Sequence, residues 1–152
     1  MLKNGETVDG SLKDLISIGL KIQAINKALE AGCGLSVVQW SVLRTLIERP
    51  AVSPQSLARA LEVTPGTLTQ TLQRLSRKRL VFICDDPKDA RKKIVSITRD
   101  GRDLLTAAGE VHEQAFQGLR DAAPALSTLR RVLDERVIHR LEEKISGSIL
   151  EP

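Results

Sequence analysis

Between residues 64 and 100 the chain sets amides, hydroxyls and guanidiniums at spacings that let them act together. In the segment TPGTLTQTLQRLSR, helical geometry puts Gly66, Gln70, Gln73, Arg74 and Arg77 on one face, with Thr67 and Thr69 flanking it near the amino end. Leu68, Leu72 and Leu75 take the opposite face. Such polar groups hydrogen-bond base edges in a major groove, where arginine to guanine is the commonest specific contact. Gly66 costs the helix up to about 1 kcal/mol relative to alanine, and a position without a side chain lets the helix start approach a phosphate or base closely. Further on, DDPKDARK presents Lys88, Arg91 and Lys92, whose charge suits the negative potential of a narrow minor groove. Asp89 stands two residues before Arg91, where it can orient that arginine. Residues 64–100 carry nine Lys and Arg against four Asp, while the whole chain is only +4, so the rest is slightly acidic. Positive charge gathered in one quarter of a chain is the footprint of a phosphate-binding surface.

The elements that must hold these groups are mostly helical. Apolar residues recur at Leu12, Leu15, Ile16, Ile22, Ile25 and Leu29, which predicts a long helix over Asp9–Ala31 that Gly32-Cys33-Gly34 ends. Ser36 caps a second helix over Val37–Ile47, with Val38, Val42, Leu43, Leu46 and Ile47 inward and Pro50 behind it. Ser53-Pro54 and Thr64-Pro65 each supply a cap and an N1 proline, for a short third helix to Leu61 and a fourth to about Arg79. Only Glu62-Val63 separates them, which makes a helix-turn-helix. Ser53, Gln55 and Thr64, at the openings of these two helices, join the candidate contact residues.

Leu80–Cys84 and Lys93–Ile97 are β-prone runs that form a hairpin, and the loop between them, residues 85–92, is expected to be too long and charged for a tight turn. Thr98 caps a fifth helix to about Leu119, with Leu104, Leu105, Ala108, Val111, Ala115, Phe116 and Leu119 inward. After a break around Ala122-Ala123-Pro124, the last helix carries a stripe of Leu126, Leu129, Leu133, Val137, Leu141, Ile145 and Ile149. The fold class is therefore mainly α with a small β-hairpin wing. The expected organisation is one compact unit of three parts: an N-terminal dimerisation helix (1–34), a winged helix-turn-helix (35–100) and C-terminal dimerisation helices (101–152). The terminal helices have more apolar surface than one small domain needs, so a second subunit is expected to cover it.

Composition narrows the remaining classes. A length of 152 residues with 41% hydrophobic and 28% charged residues suits one domain with extensions. No apolar run approaches the roughly 20 residues of a membrane span, and MLKNGETVDGSLKDL lacks the pattern of a secretory signal, so a cytoplasmic location is expected. Cys33 and Cys84 form no CxxC pair, and with only His112 and His139 beside them no zinc set emerges. The sequence holds no nucleophile with an adjacent base, no phosphate-cradling glycine loop and no paired carboxylates in an apolar run, so no enzyme and no cofactor are expected.

The segments LSVVQWSVLRTL, SLARALEVTPGTLTQTLQRLSRKRLV, DDPKDARKKIVSIT and the following DG make the chain resemble the MarR family of transcriptional regulators from about Leu35 to Leu105. The run Asp86-Pro87-x-Asp89-x-Arg91 before Val-x-Ile-Thr is that family's wing signature. The resemblance implies a homodimer with intertwined terminal helices, recognition helices in successive major grooves of double-stranded DNA, and wings in the flanking minor grooves. It assigns groove entry to Arg91 and base contacts to Gly66, Thr67, Thr69, Gln70 and Arg74. It also implies a repressor on a pseudopalindromic operator, released by a small organic effector in a pocket between the dimer helices and the winged helix, which Trp40, His112 and Phe116 would line. The family usually has glycine where Arg79 stands, so a different backbone path is expected after the fourth helix. Two alternatives are an oxidant sensor using Cys33 or Cys84, and a winged-helix protein-interaction module without specific DNA binding. The local excess of positive charge argues against the second.

Overall fold

The computed structural model describes residues 4–148. Its elements are α1 (Asn4–Cys33), α2 (Val37–Glu48), α3 (Pro54–Ala60), α4 (Pro65–Arg77), β1 (Val81–Asp86), β2 (Asp89–Ile97), α5 (Arg99–Gln117), α6 (Ala123–Val132) and α7 (His139–Ser148). A π-helical stretch, Leu133–Ile138, joins α6 to α7. Two compact units, Met1–His112 and Glu113–Pro152, divide the chain, with the boundary inside α5. Ile149 of the expected apolar stripe lies outside the described residues.

Helix starts follow the capping residues. Ser36 accepts from the Gln39 backbone N–H at 3.3 Å while the Gln39 side chain accepts from the Ser36 N–H at 3.3 Å, a reciprocal capping box. Ser53 accepts from the Ser56 N–H and Thr64 from the Thr67 N–H, each at 3.2 Å, and each is followed by proline. Thr98 accepts from the Gly101 N–H at 3.0 Å as α5 begins.

Helix ends are less obvious from composition. The α3 and α4 ends share one geometry: Glu62 and Arg79 take positive φ (52° and 59°). The next amide in each case reaches back five residues, Val63 N–H to the Ala58 carbonyl at 3.1 Å and Leu80 N–H to the Leu75 carbonyl at 2.9 Å. This is the Schellman motif, which normally takes glycine at the left-handed position. The expectation of a different path at Arg79 is therefore corrected: Arg79 makes the left-handed step a glycine would make. The Thr98 hydroxyl, donating to the Arg79 carbonyl at 2.8 Å, and the buried pair Leu75 and Leu80 hold it there.

The core of the first unit gathers Leu35, Val42, Leu43, Leu46, Leu57, Leu68, Leu72, Leu75, Leu80, Val81, Val95, Ile97 and Ala108. Ile47, expected inward, is exposed, and Val38 is half-buried. Three polar residues are buried as well, Gln39, His112 and Thr71, the last with its hydroxyl donating to the Thr67 carbonyl at 2.8 Å. Of the residues assigned inward on α5, Ala108 is buried, Leu104, Leu105 and Phe116 are half-buried, and Val111, Ala115 and Leu119 are exposed.

The hairpin pairs antiparallel from Val81↔Ile97 to Asp85↔Lys93, then shifts so that Asp86 faces Asp89. The strands thus run on into the segment expected to be a long loop, and only Pro87-Lys88 turn the chain. The correction has an electrostatic cause: carboxylates organise the tip, with Asp86 accepting from the Lys88 N–H at 2.8 Å and Asp89 from the Arg91 N–H at 3.2 Å. Val52 adds a bridge to Val95, fastening the hairpin to the segment before α3. Gly101 lets α5 start against it, because a Cβ there would stand 2.2 Å from the Leu80 carbonyl oxygen.

Candidate nucleic-acid interface

Helix α4 divides as the spacing predicts. Leu68, Leu72 and Leu75 are no more than 4% exposed, while Gly66, Thr67, Thr69, Gln70, Gln73, Arg74 and Arg77 are exposed. Thr69 donates to the Pro65 carbonyl at 2.8 Å, and the Thr64 and Thr67 hydroxyls lie 2.9 Å apart, so the hydroxyls of the first turn are committed to the helix. Among the described residues, no hydrogen bond or ion pair engages the side chains of Gln70, Gln73, Arg74 or Arg77. A Cβ at Gly66 would meet nothing within 4 Å, so the fold does not itself require glycine there. The first turn is left open to whatever the helix faces.

The hairpin presents a second basic group. Lys88 is exposed in the turn, whereas Arg91 and Lys92 lie on β2, where the register shift leaves them without Cα partners on β1. Asp89 holds both: the Arg91 Nε is 3.2 Å from one carboxylate oxygen and the Lys92 Nζ 3.6 Å from the other. The Arg91 side chain is still 92% exposed. A tethered but solvated guanidinium can be presented in a fixed direction at little desolvation cost. Lys93 is paired instead with Asp85.

Ser53 caps α3, and Gln55 is exposed on its first turn. Both line an open cavity of about 440 Å³ together with Lys92 and Lys93, which brings the start of α3 and the hairpin to one place. A larger cleft, about 530 Å³, lies between α3 and α4 and is lined by Gln55, Arg59, Val63, Pro65, Leu68 and Thr69 among others.

The candidate effector residues meet in part. The rings of Trp40 and His112 stack at 5.1 Å and 7°, and the Arg44 guanidinium sits 5.1 Å over the indole. His112 is 1% exposed, and its Nδ1 is 3.1 Å from the Ala108 carbonyl. A carbonyl only accepts, so Nδ1 carries the proton and, in the neutral ring, Nε2 is an acceptor. That Nε2 and the Trp40 Nε1–H are buried and have no hydrogen-bond partner among the described residues. The Cys33 Sγ lies 3.7 Å from His112 Nδ1 and donates to the Leu29 carbonyl at 3.0 Å. Phe116 lies further along α5, in the second unit. Gln39 and Lys78, which pass unnoticed in the sequence, meet at the joint between α1 and α2. No group of three His, Cys, Asp or Glu side chains among the described residues is placed to hold a metal ion, and no described helix is long and apolar enough to cross a membrane.

Two helices joined by a tight turn, the second bearing an unengaged polar face, and a basic antiparallel hairpin behind them define a winged helix-turn-helix. A model of the MarR family matches residues 34–92. The transcriptional activatory protein BadR of Rhodopseudomonas palustris is 31% identical over 132 residues, spanning 80% of this chain and 73% of that protein. The homoprotocatechuate degradative operon repressor of Escherichia coli is 30% identical over 112 residues, spanning 74% and 72%. The crystal structure of the transcriptional regulator BldR from Sulfolobus solfataricus superposes with a TM-score of 0.62 at 27% identity, covering 88% of this chain and 99% of that one. The chain belongs to the MarR family and is a transcriptional regulator.

Proposed function

We propose that this regulator acts in the cytoplasm, without catalysis, as a homodimeric repressor. In this reading α4 enters the major groove of a pseudopalindromic operator, and Arg91, aimed by Asp89, enters the adjacent minor groove. Residues 35–100 form the DNA-binding part, and residues 1–34 and 101–152 join two subunits. The observation that carries the reading is the face of α4, where Gln70, Gln73, Arg74 and Arg77 are exposed and unengaged above a fully packed leucine row. One recognition helix per subunit calls for two half-sites about one helical turn, ~10 base pairs, apart. Titration by fluorescence anisotropy against fragments of the gene's upstream region, and against the same operator with five base pairs inserted between half-sites, tests it. The insertion turns one half-site to the other side of the duplex, so affinity should fall toward that for random DNA. Equal binding to both, or to a single half-site, overturns the dimeric regulator.

An effector reading is favoured by the Trp40–His112 stack. A buried N–H and a buried ring nitrogen left unpaired each cost about 1–3 kcal/mol, and one hydroxyl-bearing organic acid can satisfy both, its carboxylate accepting from the indole N–H and its hydroxyl donating to Nε2, while its body contacts the rings. The name of the homoprotocatechuate operon repressor, a relative, points to the same class of aromatic acid. Trp40 is the single tryptophan, so its fluorescence reports binding directly. Aromatic acids that quench it should also weaken operator binding, and His112→Ala should abolish both effects. A wild-type response in His112→Ala removes these residues from the effector site.

A further inference from the structure

We infer that Lys78 is a positioning residue that ties the recognition helix to the joint between α1 and α2, an assignment that rests on the operator-binding reading above. Lys78 is the C-cap of α4, and its ammonium donates to the carbonyl oxygen of Gly34 at 2.8 Å, across 44 residues of sequence. Gly34 is the left-handed residue (φ 78°) that follows α1. The cation therefore sits where the carbonyls at the end of α1 concentrate negative charge. The same ammonium is 3.5 Å from the Gln39 Oε1. Gln39 is 1% exposed and every polar atom of its amide is engaged: Oε1 also accepts from the Ser36 N–H, and Nε2 donates to Glu30 at 3.3 Å. One buried amide and one lysine thus join the end of α1, the start of α2 and the end of α4. Asn26 adds a second tie, accepting from the Val37 N–H at 3.1 Å.

The joint also borders the Trp40–His112 stack, because Cys33, the last residue of α1, has its Sγ 3.7 Å from His112 Nδ1. A displacement of α1 at Cys33 moves the Gly34 carbonyl, and Lys78 passes that movement to the end of the helix that bears Gln70 and Arg74. Lys78 thereby serves the placement of α4 and not the phosphate backbone, although its charge alone would suggest the latter.

The two roles separate in one variant. Lys78 is exposed, so Lys78→Met removes the charge, keeps the stem and leaves the core intact. As a positioning residue, its loss weakens operator binding at least about fivefold, the lower end of ordinary coupling between sites. Affinity for random DNA and the slope of log K against log salt stay as in the parent. A phosphate contact would lower operator and random DNA together and reduce the salt slope by about one, and that result overturns the assignment, as does unchanged operator affinity. Linkage supplies a second readout. In a Cys84→Ser background, saturating operator should slow labelling of Cys33 by a thiol reagent such as dithionitrobenzoate, and Lys78→Met should remove that protection. Protection that persists in Lys78→Met shows that the joint and the DNA communicate by another route and overturns the proposal. If the parent protein binds no operator at all, it is the reading under Proposed function that fails.

Discussion

Leucines fare oppositely in two regions of this chain. From Leu35 to Ile97 the leucines at 35, 43, 46, 57, 68, 72, 75 and 80 are at most 5% exposed. In α1, by contrast, Leu12, Leu15, Ile16, Ile18, Leu20, Ile22 and Ile25 are 37–61% exposed, and so, in the second unit, are Leu119, Leu126, Val137, Ile138, Leu141 and Ile145 at 40–59%. Chemistry is the same in both regions; what differs is the closure of the surrounding structure. Three short helices and a hairpin return on themselves and close a core. Long terminal helices present apolar surface along their lengths, and such an area on a monomer marks an interface. The winged helix closes its core within one copy, whereas α1 and the second unit leave rows of apolar side chains exposed.

The sharpest way to break this contrast is to charge the terminal surface. Leu141→Glu with Ile145→Glu should dissociate the dimer, since full burial of each apolar side chain is worth about 1.5–3 kcal/mol. Sedimentation velocity should show a monomer with a far-UV spectrum that keeps its helical and hairpin content. An unchanged dimer would mean that this stripe is not the interface. Within the winged helix, Gly101→Ala should cost about 3 kcal/mol or more, because its Cβ would overlap the Leu80 carbonyl at 2.2 Å and no flexible side chain can yield there. A thermal melt near that of the parent would refute the close approach.

Gln70→Ala and Arg74→Ala act on the unengaged face and should leave the melt unchanged. Each should cost about 1–3 kcal/mol on operator DNA, with specificity relaxed at particular base pairs. Equal losses on operator and random DNA would show that these side chains read no bases. The smallest effects are expected at two backbone positions. Gly66→Ala should raise stability by less than about 1 kcal/mol while weakening operator binding, and opposite signs in those two measurements identify a glycine kept for approach. Arg79→Gly should raise stability by about 0.5–1 kcal/mol by relieving a left-handed residue. A fall in melting temperature would mean that the Arg79 side chain contributes more than its backbone costs.

The sequence by itself determined what depends on nearest neighbours. Ser36, Ser53, Thr64 and Thr98 announce helix starts because a side-chain oxygen satisfies amides within three residues. The leucine row of α4 follows from helical period alone, and with it the opposite polar face. Tertiary structure decided the rest. Glu62 and Arg79 take left-handed backbone without glycine, and nothing local marks them, because buried neighbours and distant hydrogen bonds such as Thr98 to Arg79 hold them there. Pattern alone makes Asp85–Lys92 a loop, yet strand pairing continues to Asp86 and Asp89, since the cross-strand partners, Asp85 with Lys93 and Asp86 with Asp89, meet only after the hairpin has formed. Whether Gln39 is buried, whether Lys78 faces solvent or Gly34, and whether His112 stacks on Trp40 depend on helices 39 to 79 residues apart in sequence. Periodicity reports only which face a residue occupies, and the fold alone reports what that face meets.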